Sequence, residues 1–272
     1  MTCLRAALLA CALGLAPLAA AAQSAAPADG YAPRSGQDGK DAPWLPTSKI
    51  LINRMLAMAE ITEGDLVVDL GSGDGRTVIA AARQGVRAHG VELNPDLVAL
   101  SRRNAEAAGV GKLATFEQAD IFDADFSAAT VVTIFMLGDV NMRLRPKLLA
   151  MKPGVRVVSN TFHMDDWEPD ETSVASTGCG SFCTAMKWVV PANVAGDWRL
   201  NGGRLRLDQR FQMLSGTIER DGAPLPIADA RMTGARIAFT AGGRRYFGSV
   251  TGETMSGVVE GGEAWRATRS GS

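Results

Sequence analysis

Asp69, Glu92 and Asp120 each close a short apolar run, in "VVDLGSGDGR", "HGVELN" and "FEQADIF". Carboxylates in these places accept hydrogen bonds and attract cations. The first is followed by Gly71, Ser72, Gly73, Asp74 and Gly75, a turn whose missing Cβ atoms let a ligand approach the backbone. No Lys-Ser or Lys-Thr follows these glycines, so a phosphate-cradling loop is excluded. The dinucleotide fingerprint is also incomplete, because Arg76 stands where its third glycine belongs. A carboxylate directly before the turn would repel a pyrophosphate. Asp69 suits a ligand ammonium. Glu92, within the expected spacing of about 20 residues, suits two ribose hydroxyls. Asp120 suits the edge of a base. Leu93 and Ile121, next to the last two acids, complete the same binding set. Asp74 has a second reading as a helix cap.

Residues able to take a proton from a nucleophile are expected where strands four and five end: Asp139, and His163 or Asp165. His89 precedes an apolar strand and reads as structural. With two His in the chain and no pair at ligand spacing, no metal site is expected. Cys179 and Cys183 in "CGSFC" are either a local disulfide or two free thiols.

These residues need a scaffold that brings strand ends together. From Leu66 to Phe162 apolar strands ("LVVDL", "AHGVEL", "ATFEQAD", "TVVTIF", "VRVVSN") alternate with helices near residues 77–83, 95–108 and 140–150. Continuous apolar strands separated by helices predict an α/β fold, a Rossmann-like, doubly wound and mostly parallel sheet. Before it, "PTSKILINRMLAMAEI" predicts a helix with Leu51, Met55 and Met58 on one face. After Pro191 the period changes to two. "GRLRLDQRFQM" sets Leu205, Leu207, Phe211 and Met213 against Arg204, Arg206, Asp208 and Arg210. Turn pairs recur at Asn201-Gly202, Asp221-Gly222, Gly242-Gly243 and Gly261-Gly262, predicting a small all-β meander or barrel. The expected organisation is a signal peptide over 1–22, a linker over 23–42, an α/β domain over 43–191 and a β domain over 195–270.

The signal peptide rests on Arg5, an apolar run and the exit Ala20-Ala21-Ala22. It predicts a periplasmic or secreted chain with no membrane span once the segment is removed; the alternative is anchoring through an uncleaved N-terminus. A formal net charge of −1 gives no electrostatic reason to expect nucleic acid.

Acids at successive strand ends around "GSGDG" describe S-adenosylmethionine, with its amino group, ribose and base. "DLGSGDGRTVIAAA", "ELNPDLVALSRRNA", "QADIF" and "RVVSNTF", with "PWLPT" ahead of the first helix, resemble class I S-adenosylmethionine-dependent methyltransferases. They are similar above all to the small protein-lysine methyltransferases and their bacterial relatives. The resemblance covers about Trp44 to Asp170. It implies cofactor contact by Asp69, Gly71, Gly73, Glu92 and Asp120, with Trp44, Pro46 and Thr47 closing over the site. The expected reaction is methyl transfer to a nucleophile, with a protein lysine, a small amine or a lipid as acceptor. Two other readings remain, a non-catalytic ligand-binding envelope protein and a nicotinamide oxidoreductase.

Overall fold

The structure, a computed structural model, describes residues 30–175, 177–220 and 222–271. The expected signal peptide and the first part of the expected linker lie outside the described residues.

The first helix, α1 (Lys49–Met58), is capped by Ser48, whose hydroxyl accepts from the Leu51 N–H. It is followed by β1 (Leu66–Leu70), α2 (Arg76–Ala82), β2 (Arg87–Glu92), α3 (Pro95–Ala107), β3 (Ala114–Gln118), β4 (Val131–Ile134), α4 (Gly138–Leu149) and β5 (Arg156–Asn160). Asn94 caps α3 by accepting from the Asp96 N–H at 2.9 Å, and Pro95 opens the helix. A hairpin, β6 (Glu171–Val174) and β7 (Thr184–Val189), completes a seven-stranded sheet in the order β3-β2-β1-β4-β5-β7-β6. β1 to β5 run parallel, whereas β7 is antiparallel to both β5 and β6. This is the expected mostly parallel sheet, enlarged by a hairpin beyond the five expected strands.

One face of the sheet is covered by α1, α2 and α3, through Leu51, Met55, Val78 and Val98. The other is covered by α4 and by a pair of buried indoles, Trp167 and Trp188. The order reverses at β1, with β2 on one side and β4 on the other. At such a reversal the connections diverge to opposite faces and leave a crevice beyond the strands' carboxyl ends.

The remaining strands are β8 (Gly196–Leu200), β9 (Gly203–Arg210), β10 (Met213–Arg220), β11 (Leu225–Pro226), β12 (Ala228–Thr233), β13 (Arg236–Ala241), β14 (Arg244–Thr251), β15 (Thr254–Val259) and β16 (Ala264–Arg269). Eight of them close a ring, because β16 pairs with β8, β9 with β10, and β10 with β12; β11 lies alongside β10. The all-β half is therefore a closed antiparallel barrel, without the open edges of a curled sheet. Trp198, Leu205, Leu207, Phe239 and Trp265 fill its interior. The alternation of "GRLRLDQRFQM" holds only to Arg210. Phe211 turns at φ 53°, leaves the barrel's inner face and stacks on Trp167 of the α/β half, 6.0 Å between centroids. Met213 is half exposed. The same junction is held by Gln212 donating to the Glu168 carbonyl at 2.7 Å and by an ion pair of Arg231 with Asp170.

Candidate functional site

The crevice at the β1–β4 reversal is a cavity of about 310 Å³ lined by the tips of β1, β2 and β4, the glycine turn, the β3 exit and residues 37–47, at the lower end of the size usual for small-ligand sites. Asp69 ends β1 inside it and is buried. Its Oδ1 accepts from the Thr133 hydroxyl at 2.6 Å. Burial pushes the Asp69 carboxyl up to about 7, a rise the Thr133 hydrogen bond opposes and the nearby charges of Glu92 and Asp74 reinforce.

Glu92 uses both oxygens on backbone: Oε2 accepts from the Gly73 N–H and Oε1 from the Asn94 N–H, each at 2.9 Å. Burial raises its pKa as well. Each oxygen retains a lone pair for a ligand hydroxyl. Asp120 accepts from the Phe122 N–H at 2.9 Å and from Lys40 at 2.5 Å, and the Lys40 hydrogen bond holds its carboxyl below the usual range.

The turn between β1 and α2 is shaped for contact. Gly73 has φ 56°, and a Cβ there would lie 2.7 Å from the Trp44 indole nitrogen. Gly75, at φ 81°, caps α2 and would bring a Cβ within 2.8 Å of Phe116. Neither position accepts a side chain. Ser72 is among the lining residues, but its hydroxyl, which has no hydrogen-bond partner, is buried beside Gly90. Asp74 is engaged twice by Arg76, through Nε at 2.8 Å and an Nη at 2.6 Å, while Gly75 takes the cap position.

All ten expected cofactor residues except Gly75 line the cavity, and so do Trp44, Pro46 and Thr47. Gly75 stands behind them as a backbone pivot. Thr47 is fixed by the Asn160 amide at 3.2 Å and Arg76 donates to its carbonyl at 3.1 Å. The unexpected sixth-position arginine thus ties the glycine turn to the segment that closes over it. The expected linker is corrected in its second half. Residues 37–42 form part of the cavity wall, pinned by the Gln37–Trp44 bridge and the pairs Lys40–Asp120 and Asp41–Arg143. Charge pairing, which has no sequence period, holds this strap in place.

The three proton-acceptor candidates are not brought into the site. Asp139 lies in the first turn of α4, His163 and Asp165 follow β5, and all three are exposed and outside the cavity lining. Their strands end at the right edge, but their side chains leave it. Sequence reasoning passed over Thr133, Phe135 and Met136, of which the last two line the cavity. The signal available was their place at the end of an apolar strand next to β1. His89 bonds Thr115 at 2.8 Å, away from the cavity. Cys179 and Cys183 are joined as a disulfide, with Cα atoms 5.3 Å apart. No cluster suited to a metal occurs among the described residues.

The comparisons with known proteins agree with this geometry. The family model of the ANTKMT methyltransferase domain matches residues 69–171. A protein-lysine N-methyltransferase of Saccharolobus islandicus is 41% identical over 139 residues, spanning 50% of this chain and 86% of the relative. The chain belongs to the class I S-adenosylmethionine-dependent methyltransferases, in the protein-lysine methyltransferase group. The adenine nucleotide translocase lysine N-methyltransferase of Mus musculus is 37% identical over 129 residues, and the match spans 47% of this chain and 56% of that relative, little more than half its length. The crystal structure of an RNA methyltransferase from Salinibacter ruber, in complex with S-adenosyl-L-homocysteine, is 45% identical, with a TM-score of 0.51 over 55% of this chain and 96% of that one. The matched stretches account for about half of this methyltransferase.

Proposed function

We propose that this methyltransferase moves a methyl group to the ε-amine of a protein lysine by in-line displacement, as an exported, periplasmic or secreted enzyme. One observation carries the cofactor assignment. Three strand-end carboxylates and a glycine turn face one cavity. That donor set suits a cationic nucleoside. Asp69 would meet the ammonium of the methionine part, Glu92 the ribose hydroxyls, and Asp120 with Ile121 the base. Gly71, Ser72 and Gly73 would lie against the ligand's backbone-facing side, and Trp44, Pro46 and Thr47 would shut water out.

S-adenosylmethionine supplies a methyl already activated by its sulfonium. The protein's share is alignment and dryness, and alignment of two reactants is worth about 7–11 kcal/mol. That Asp139, His163 and Asp165 stay out of the lining fits this division of labour, because an amine entering an apolar vestibule loses its proton more readily than one in water. The lysine acceptor is supported by the Saccharolobus islandicus and Mus musculus relatives, both named for lysine methylation. Export is supported by the N-terminal sequence pattern.

The test is tritiated methyl transfer from S-adenosylmethionine to envelope extract, with amino-acid analysis of the labelled protein. Radioactive methyl-lysine is expected. A second reading, transfer to RNA, is favoured by the Salinibacter ruber relative, so total RNA is the parallel acceptor. Label in RNA alone would replace lysine. Fractionation of cells making the full chain tests export; an intact N-terminus in the cytoplasm would refute it.

A further inference from the structure

At one side of the cofactor cavity stands a group of three aromatic rings. Phe135, just beyond β4, lines the cavity. Phe162, just beyond β5, stacks on it at 6.2 Å, and Phe182, from the β6–β7 loop, meets it edge-on at 5.2 Å. Phe162 and Phe182 are 6.1 Å apart, so each ring touches the other two. All three are only partly buried. Phe182 sits inside the short loop closed by Cys179–Cys183, which fixes an otherwise irregular segment next to the site.

The segments that carry the rings are acidic, and the two arginines that reach one of them, Arg145 and Arg210, are both paired with Asp166. The stretches 134–139, 160–170 and 176–183 contain no Lys or Arg, whereas Asp139, Asp165 and Glu168 are exposed there. A phosphate backbone would meet repulsion, and a cation attraction. The rings are inclined to one another at 26°, 63° and 37°, so they form a corner, with no parallel slot for a base. Ring faces attract alkylammonium groups, and their bodies accept an aliphatic stem.

We propose that Phe135, Phe162 and Phe182 form the acceptor subsite, that they take a long aliphatic amine, and that the Cys179–Cys183 bond holds Phe182 in it. The subsite rests on the methyl-to-lysine reading and adds to it the residues that select the acceptor. The exposed acids, idle as proton acceptors, steer the incoming cation.

Saturation-transfer NMR on the full chain with S-adenosylhomocysteine bound tests this, using n-pentylamine and adenosine monophosphate as probes. Pentylamine should contact aromatic protons in the wild type. The contact should drop at least several-fold in Phe182→Ala and in Phe162→Ala, and in Phe182→Leu, which keeps apolar bulk without a ring. S-adenosylhomocysteine affinity, unchanged in these variants, certifies the fold. Reduction of the disulfide should weaken pentylamine contact in the same direction. Absence of pentylamine contact, or contact indifferent to Phe182 and Phe162, overturns the subsite. Adenosine monophosphate binding that is lost with Phe182 overturns it in favour of a stacked base. The transfer assay separates the two readings. Ring-dependent amine binding without lysine labelling keeps the subsite and refutes the lysine acceptor. Lysine labelling with an unchanged KM in Phe182→Ala refutes the subsite alone.

Discussion

The α/β half buries Asp69, Ser72, Thr77, Ser101, Thr133, Asn141, Ser159 and Asn160, whereas from β8 onward Gln212, at the junction, is the buried polar residue among those described. The barrel's interior is apolar side chains, and a recess at its rim near Arg220 and Trp265 holds only about 10 Å³, space for a single water. One half retains a cavity with a buried carboxylate in its wall; the other is filled. Burying a carboxylate costs free energy, which a cationic ligand beside it offsets. The contrast locates the cofactor cavity in the first half, against whose β5–β6 connection the second packs Phe211, Gln212 and Arg231.

Substitutions that strike one half should sharpen the contrast. Trp198→Ala removes a fully buried indole and its hydrogen bond to the Val194 carbonyl, and should cost about 3–5 kcal/mol in denaturant unfolding. Cofactor affinity of the folded fraction should stay unchanged by calorimetry; a parallel fall would break the division into halves.

The next effect depends on pH. The native Asp69 carboxyl titrates at about 7 and its unfolded counterpart near 4. Between those values the native state keeps a proton the unfolded chain has lost. The contribution of Asp69 is therefore fully present below pH 4 and declines as pH rises to 7, by no more than about 4 kcal/mol. Stability curves of the ligand-free wild type minus Asp69→Asn should show that decline and then level off. Affinity for the cationic cofactor should move oppositely, increasing up to pH 7 as the carboxylate forms.

Gly75→Ala combines a positive φ of 81° with contacts to Phe116 and Ser101 under 3 Å, and should cost about 3 kcal/mol. Gly202→Ala in the β8–β9 turn has nearly the same φ, 82°, with nothing within 4 Å, and should cost about 1 kcal/mol. Equal losses on urea unfolding would mean that crowding at the glycine turn is not what sets it apart. Smallest is Lys40→Ala. It should leave the melting temperature unchanged and accelerate cofactor dissociation a few-fold in stopped flow, because the strap loses its anchor on Asp120.

Much of the α/β half was readable from residues alone. Continuous apolar strands reveal a buried parallel sheet, and acids at the ends of the first three identify the edge that binds. Such information is local. Closure of the barrel was not local: β16 reaches β8 across some seventy residues, and no short pattern records that pairing. The strap over residues 37–42 was missed because its Lys40 and Asp41 find partners eighty and about a hundred positions away. Asp139, His163 and Asp165 failed for a different reason. Sequence assigned them to strand exits but could not give the direction of a side chain after an irregular turn, such as that at Asp165 with φ 54°. Phe182 depends on a loop closed by a disulfide and by the Ala175 N–H donating to the Cys183 carbonyl.

Isothermal titration with S-adenosylhomocysteine, on Asp69→Ala and Glu92→Ala beside the wild type, probes most directly whether buried strand-end acids hold the ligand. A loss of about 10- to 100-fold is expected for each variant, the worth of a hydrogen bond to a charged group. Wild-type affinity in variants that remain folded by circular dichroism would contradict it.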